Sequence, residues 1–253
     1  MENNYYNECI KKLYDNPEFY INEFINYKDD IYFWPKIIQM FKPRKVLEIG
    51  IGNGRLINLL HELVDIYDGI DFSSELVNYC TEKYNYRNVN IYNQDLKKSS
   101  LNDKYDLIIL PFNVINNFYS EKDIADALNN IKKMCNENTI VVIDTINPKI
   151  NDLIDRKEFI KTNLFYINGQ LVSVFENKIF DNVNCTCIYG KRYINENGKV
   201  LKESVLPNRI FFYTELMLLL KHYGFDIIDI YGDYNFEQIS NWSRKQILVI
   251  RRK

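Results

Sequence analysis

The stretch that decides the fold is Arg44-Lys45-Val46-Leu47-Glu48-Ile49-Gly50-Ile51-Gly52-Asn53-Gly54-Arg55-Leu56. Val46 to Ile49 reads as the short run of a strand buried on both faces. Gly50, Gly52 and Gly54 then turn the chain, and helical spacing begins at Leu56. Glycine accepts positive φ and leaves room for a ligand against the main chain. A strand, a glycine turn and a helix N-terminus together build a nucleotide-binding crevice. A dinucleotide crevice reads G-x-G-x-x-G, whereas these glycines fall as G-x-G-x-G behind Glu48. A bare βα turn without ligand and a dinucleotide site are the competing readings.

Downstream, Ile66-Tyr-Asp-Gly-Ile-Asp71-Phe72 is the next strand, and Asp71 ends it 21 residues after Gly50. An acid there can accept hydrogen bonds from both ribose hydroxyls. Asp71 or Ser73 can equally serve as the cap of a helix from Ser74 to Tyr84. Leu56 to Val64 reads as the first crossover helix, with Ile57, Leu60 and Val64 facing the sheet and His61 and Glu62 facing water. Asn88 to Leu96 is a third strand ending in Asp95. Tyr105-Asp-Leu-Ile-Ile-Leu-Pro111-Phe112-Asn113 is the clearest buried strand, Glu121 to Cys135 a helix and Thr139 to Asp144 a fifth strand. This alternation predicts an α/β fold with a parallel, doubly wound sheet.

Upstream, residues 5–41 carry apolar and aromatic side chains at helical spacing, punctuated by Asn16-Pro17 and Lys42-Pro43, which predicts two or three helices lying over the sheet. Between Phe159 and Phe212 the period changes to two, with tight-turn signals at Asn168-Gly169 and Asn197-Gly198. Three or more antiparallel strands are therefore expected as an insert. Thr214 is the expected cap of a helix to Tyr223, stopped by Gly224. Phe225 to Tyr231 and Gln246 to Arg251 close the sheet as an antiparallel edge. The expected division is a helical cap over 1–42, a core of 43–158 with 211–253, and a β insert over 159–210.

A chain of 253 residues carrying 26% charged side chains and a net charge of −2 gives no electrostatic reason to expect nucleic acid. The basic clusters Lys42-Pro-Arg44-Lys45 and Arg251-Arg252-Lys253 read as solvated strand flanks. No run approaches the roughly 18 apolar residues of a membrane span, and Met-Glu-Asn-Asn-Tyr-Tyr lacks the regions of a signal peptide, so a cytoplasmic protein with no membrane contact is expected. Five cysteines without a C-x-x-C pair argue against a disulfide framework or a metal site. Cys185-Thr-Cys187 is expected to put both thiols on one face of a strand.

The motif Glu48-Ile-Gly-x-Gly-x-Gly resembles motif I of class I S-adenosylmethionine-dependent methyltransferases, and the whole chain is similar to them in its order of elements. The antiparallel insert, with Arg209-Ile-Phe-Phe-Tyr-Thr-Glu215 and His222-Tyr-Gly-Phe225, is similar to that of amino-sugar and glycine-type N-methyltransferases. Asn53 departs mildly from the usual Thr or Ser of the motif. The resemblance implies a seven-stranded Rossmann-like sheet and S-adenosylmethionine as cofactor, with S-adenosylhomocysteine as product. It implies cofactor contacts from Tyr14, Glu48, Gly50, Gly52, Gly54, Leu56, Pro111 and Phe112. Asp71 would take the ribose, Phe72 the adenine face, and Asp95 with the Leu96 main chain the adenine edge. Tyr14 is equally explained as a packed helix residue, and Asp95 as a loop aspartate.

Position 110–113, Leu-Pro-Phe-Asn, is not the motif that grips a nucleic-acid base, and there is no Pro-Cys nucleophile. Transfer from a sulfonium is an in-line displacement that needs alignment and dryness rather than a nucleophile. The expected activity is methyl transfer to a nitrogen or oxygen of a small molecule, by a monomer or homodimer. His222 is the weak candidate base. Asn113, Asn117, Tyr166, Arg192, Tyr193 and Arg209 are the candidate substrate contacts. The alternatives are a methyltransferase acting on a peptide or RNA, and a non-catalytic cofactor-binding regulator.

Overall fold

The computed structural model describes residues 2–253 and the side chains from residue 5 on. Three helices open the chain: α1 (Glu2–Tyr14), α2 (Pro17–Phe24) and α3 (Phe33–Phe41). Then follow β1 (Lys45–Ile49), α4 (Ile57–Leu60), β2 (Ile66–Asp71), α5 (Ser74–Lys83), β3 (Val89–Asn93), β4 (Tyr105–Leu110), α6 (Glu121–Met134) and β5 (Cys135–Ile146). Four long strands come next: β6 (Arg156–Ile167), β7 (Gln170–Asp181), β8 (Thr186–Asn195) and β9 (Val200–Arg209). The chain closes with α7 (Tyr213–His222), β10 (Phe225–Tyr231) and β11 (Lys245–Arg252). No helix among the described residues is long and apolar enough to cross a membrane.

The chain divides into two compact units, Lys28–Asn147 with Phe211–Lys253, and Met1–Tyr27 with Pro148–Ile210. The larger unit holds a seven-stranded sheet of order β10-β11-β5-β4-β1-β2-β3, parallel from β5 to β3, with β11 antiparallel to both its neighbours. Alternate side chains of its central strands supply two cores, one per face. Leu47, Ile49, Ile108, Val141 and Ile143 pack with Ile124, Leu128 and Ile131 of α6 and with Leu216 and Leu220 of α7. Val46, Leu107, Ile109 and Val142 pack with Phe33, Trp34, Ile37 and Ile38 of α3 and with Ile57 and Leu60 of α4. Helices on both faces make the sheet doubly wound. Helix α3 is thus a core element of the larger unit.

Two details differ from expectation for visible reasons. Helix α4 stops at Leu60 and gives way to a 3-10 turn, His61–Leu63, because Asn88 Nδ2 donates to the carbonyls of His61 and Val64 at 2.7 and 3.1 Å. Helix α7 starts at Tyr213 behind Phe212, with no side-chain cap, so Thr214 lies inside its first turn.

The smaller unit is a four-stranded antiparallel sheet, β6-β7-β8-β9, with α1 and α2. Asn168 and Gly169, at φ 50° and 80°, form its first two-residue hairpin. Phe19, Phe165, Val172, Val174 and Tyr193 are its core. Cys187 is buried on β8, whereas Cys185 sits in the preceding turn at φ 46°, so the two thiols do not share a strand face.

Candidate functional site

Gly50, Gly52 and Gly54 all adopt left-handed φ, at 75°, 55° and 70°. A Cβ on Gly50 would meet Val114 Cγ2 at 2.4 Å, and one on Gly54 would meet the Tyr84 ring at 2.3 Å. Space as well as conformation therefore reserves these positions for glycine. The turn is tied to the end of β2: the Gly52 N–H donates to Asp71 Oδ2 at 2.9 Å, and Ser73 N–H to Asp71 Oδ1 at 2.9 Å. Ser73 Oγ caps α5 by accepting from Leu76 N–H at 3.2 Å, which leaves Asp71 at the glycine turn rather than in the cap. Asp71 is 6% exposed. Burial pushes its carboxyl up to about 6 in spite of the backbone donors Ser73, Gly52 and Phe72.

Glu48, one residue before the end of β1, is buried and accepts from the Tyr67 hydroxyl at 2.5 Å. Burial pushes this carboxyl up to about 8, against the lowering effects of the Tyr67 bond and of Arg55. Arg55 makes a two-pronged pair with the fully buried Asp30, at 2.6 and 2.7 Å, and Trp34 Nε1 donates to the same carboxylate at 2.8 Å. The guanidinium also lies 5.4 Å from the centre of the Phe112 ring.

At the end of β4, Phe112 and Asn113 are both left-handed, at φ 51° and 64°, a conformation that asparagine tolerates but that is costly for phenylalanine. Asp144, at the end of β5, holds them there: its Oδ2 accepts from Phe112 N–H at 2.9 Å and its carbonyl from Asn113 N–H at 3.1 Å. Asp144 is itself fully buried, with the Tyr234 hydroxyl at 2.8 Å and Lys245 Nζ at 3.0 Å. Asn113 Oδ1 is buried without a hydrogen-bond partner among the described residues. Pro111 is buried beside them, and Asn117, in the 3-10 turn Val114–Asn117, accepts from Tyr119 at 3.3 Å. Past β3, Asp95 is partly exposed and accepts from Lys97 N–H at 3.0 Å, Leu96 is a core side chain, and Phe72 is 37% exposed.

The ends of β1, β2, β4 and β5 thus gather Glu48, Gly50, Gly52, Gly54, Asp71 and Phe112 to Asn113, at the carboxyl edge where open α/β sheets hold ligands. Leu56 is a buried residue at the start of α4. His222 is not there. It is exposed at the end of α7, just before Phe225, which pairs with Arg252, so it lies at the opposite edge of the sheet. The other candidates belong to the smaller unit. Tyr14 packs edge-on to Tyr20 at 5.0 Å, Tyr166 is 64% exposed, and Arg192 pairs with Glu203 at 2.8 Å. Arg209 donates to the carbonyls of Asn184 and Ile210. Tyr193 is a core residue whose hydroxyl donates to Glu23 Oε2 at 2.9 Å, so its ring is not a free substrate contact.

Sequence reading missed Asp30, Trp34, Tyr67, Asp144, Tyr234 and Lys245. An acid closing the fifth strand was a usable signal for Asp144. The Asp30–Arg55 pair joins positions 25 apart, with α3 and β1 between them, and carried none.

A doubly wound sheet with this strand order and a glycine turn at the end of its first strand defines the class I methyltransferase fold. Residues 46–138, which span the glycine turn, Asp71, Asp95 and Asn113, match the model of the methyltransferase-domain family. A protein of Invertebrate iridescent virus 6 that carries a methyltransferase name is 26% identical over 137 residues, 52% of this chain and 49% of its own. The chain thus spans about half the length of the curated relative it matches. Among solved structures, the CcbJ methyltransferase of Streptomyces caelestis superposes with a TM-score of 0.80 at 18% identity, over 98% of this chain and 97% of the other. An S-adenosylmethionine-dependent methyltransferase of Clostridium acetobutylicum gives 0.77 at 15% identity, over 95% and 99%. The sugar N-methyltransferase KedS8 of Streptoalloteichus gives 0.71 at 14% identity, over 93% and 92%.

Proposed function

We propose that the chain uses S-adenosylmethionine to methylate a nitrogen or oxygen of a small molecule, leaving S-adenosylhomocysteine. The observation that carries this reading is the tie between the glycine turn and Asp71. A carboxylate at the end of β2 accepts from Gly52 N–H within a turn whose Gly50, Gly52 and Gly54 all hold left-handed φ. In this reading Asp71 accepts the ribose hydroxyls, and Phe72 with Asp95 and the Leu96 main chain borders the adenine. Glu48, Leu56, Pro111 and Phe112 enclose the methionine end. When bound, the cofactor supplies an electrophilic methyl on a sulfonium.

The work left to this chain is alignment and exclusion of water. The clamp from Asp144 fixes Phe112, whose ring face suits a cation. It also fixes Asn113, whose unpartnered Oδ1 suits an N–H or O–H donor of the acceptor. A small-molecule acceptor is supported by the likeness to the sugar N-methyltransferase KedS8, which covers 93% of this chain. Calorimetric titration with S-adenosylmethionine, S-adenosylhomocysteine and NAD tests the reading. Micromolar binding of the first two and silence from NAD is the expected result. NAD binding without S-adenosylmethionine binding overturns it.

A further inference from the structure

A cleft of about 890 Å³ opens on the larger unit, walled by the 3-10 turn Leu96–Lys98, by α6 and by the end of β11. Lys97, Lys98, Lys122, Lys132, Lys133 and Arg252 line it, against only two carboxylates, Asp123 and Asp126. Both acids are engaged at the start of α6: Asp123 closes a capping box with Ser120, and Asp126 takes Lys122. Lys97 lies 3.9 Å from Asp95. The other four cations have no carboxylate partner among the described residues. Lys132 Nζ donates to the Tyr223 carbonyl at 3.2 Å and Lys133 Nζ to Asn130 Oδ1 at 3.0 Å. Lys98 and Arg252 form no ion pair among the described residues.

Lys132 and Lys133 suit the negative end of the α6 dipole. Lys98 and Arg252 come from two other elements, and that dipole does not require them. Converging cations without counter-charges in a concave wall concentrate anions. Asn130 Nδ2 ties α6 to the Leu96 carbonyl at 2.8 Å, which fixes the turn bearing Lys98 against the helix. The remaining lining is Ser99 and Asn129, with no aromatic or aliphatic residue. The volume is that of a small-molecule site, about 300–1,000 Å³, but such sites are mostly apolar. A nucleic-acid base would find no ring to stack on. What remains is a compact oxyanion of high charge, for which lysine is a point-charge partner.

We propose that this cleft binds a polyphosphate group, free or as the tail of a nucleotide. The proposal is independent of the methyl-transfer reading. The test titrates tripolyphosphate, ATP and a short single-stranded RNA into the full chain at low and moderate salt. Saturable binding of tripolyphosphate that weakens with salt is expected, at least tenfold weaker in Lys133→Glu and in Arg252→Glu. Both positions are exposed, so the fold should hold, and circular dichroism checks that. ATP binding equal to tripolyphosphate means that the phosphates alone are read; tighter ATP binding means that the nucleotide is the source. No saturable tripolyphosphate binding, binding unchanged in both variants, or binding of RNA alone overturns the proposal. S-adenosylhomocysteine serves as the control ligand: its failure on the parent chain counts against the methyltransferase reading and leaves the polyphosphate result standing.

Discussion

At Asp71, burial and backbone hydrogen bonds act in opposite directions on one carboxyl, and burial wins, holding it at about 6. Two consequences follow for a ribose acceptor. Asp71→Ala removes charge-assisted hydrogen bonds worth about 1.5–3 kcal/mol each, so S-adenosylhomocysteine should bind at least tenfold more weakly to a folded variant. The carboxylate form also disappears below that value, so affinity should fall by up to tenfold per pH unit on going down from pH 6, and Asp71→Asn should abolish the slope. Calorimetry from pH 5 to 7.5 reads both. Glu48 works on stability instead. Its folded value of about 8 lies above the ordinary 4.5, so between these limits the folded chain holds the extra proton. Its contribution is therefore full below pH 4.5 and is lost as pH rises through 8. Glu48→Gln should flatten the fall in Tm between about pH 6 and 8, a window above that of Asp71. The sequence shows both acids, because spacing from the glycines marks them. It hides their altered acidity, which comes from burial deep in the sheet and outweighs the hydrogen bonds that act to lower both values.

Among the elements, the loops after β4 and β5 depend on each other. Two left-handed residues at Phe112 and Asn113 persist because Asp144 takes both of their N–H groups, and Asp144 persists buried because Lys245 and Tyr234 face it. Lys245→Met leaves that carboxylate without its cation, which typically costs about 3–5 kcal/mol. The expected outcome is a lower denaturant midpoint together with weaker S-adenosylhomocysteine binding, with Lys245→Arg recovering part of both. A loss of stability with binding untouched would separate the clamp from the site. The strands themselves were legible, since their apolar runs and periods are local properties. Helix ends were less so. Asn88, 24 residues beyond Val64, decides where α4 finishes, and no window around Leu60 contains it.

For the whole molecule, the sheet order and the antiparallel insert follow from alternation and turn residues, which is why both were readable. The membership of the first two helices was not. Tyr6 donates to Asp181 at 2.5 Å, and Lys191 Nζ meets Glu23 Oε1 at 2.6 Å, contacts 175 and 168 residues apart that no local pattern announces. They bind α1 and α2 into the smaller unit. Lys191 is 3% exposed and is shared by Glu23, 4% exposed, and Glu176, 19% exposed, the second at 3.1 Å. Lys191→Met would strand two neighbouring carboxylates, Glu23 and Glu176, inside the smaller unit. Breaking a buried pair from one side costs about 3–5 kcal/mol, and a separate compact unit should express that as local opening. Hydrogen exchange should therefore accelerate in β7 and β8 while β1, β4 and β5 stay protected. The double variant Lys191→Met with Glu23→Gln should recover part of the loss, because the second change removes one of the stranded charges. Equal acceleration in the central sheet would show instead that the two units open as one.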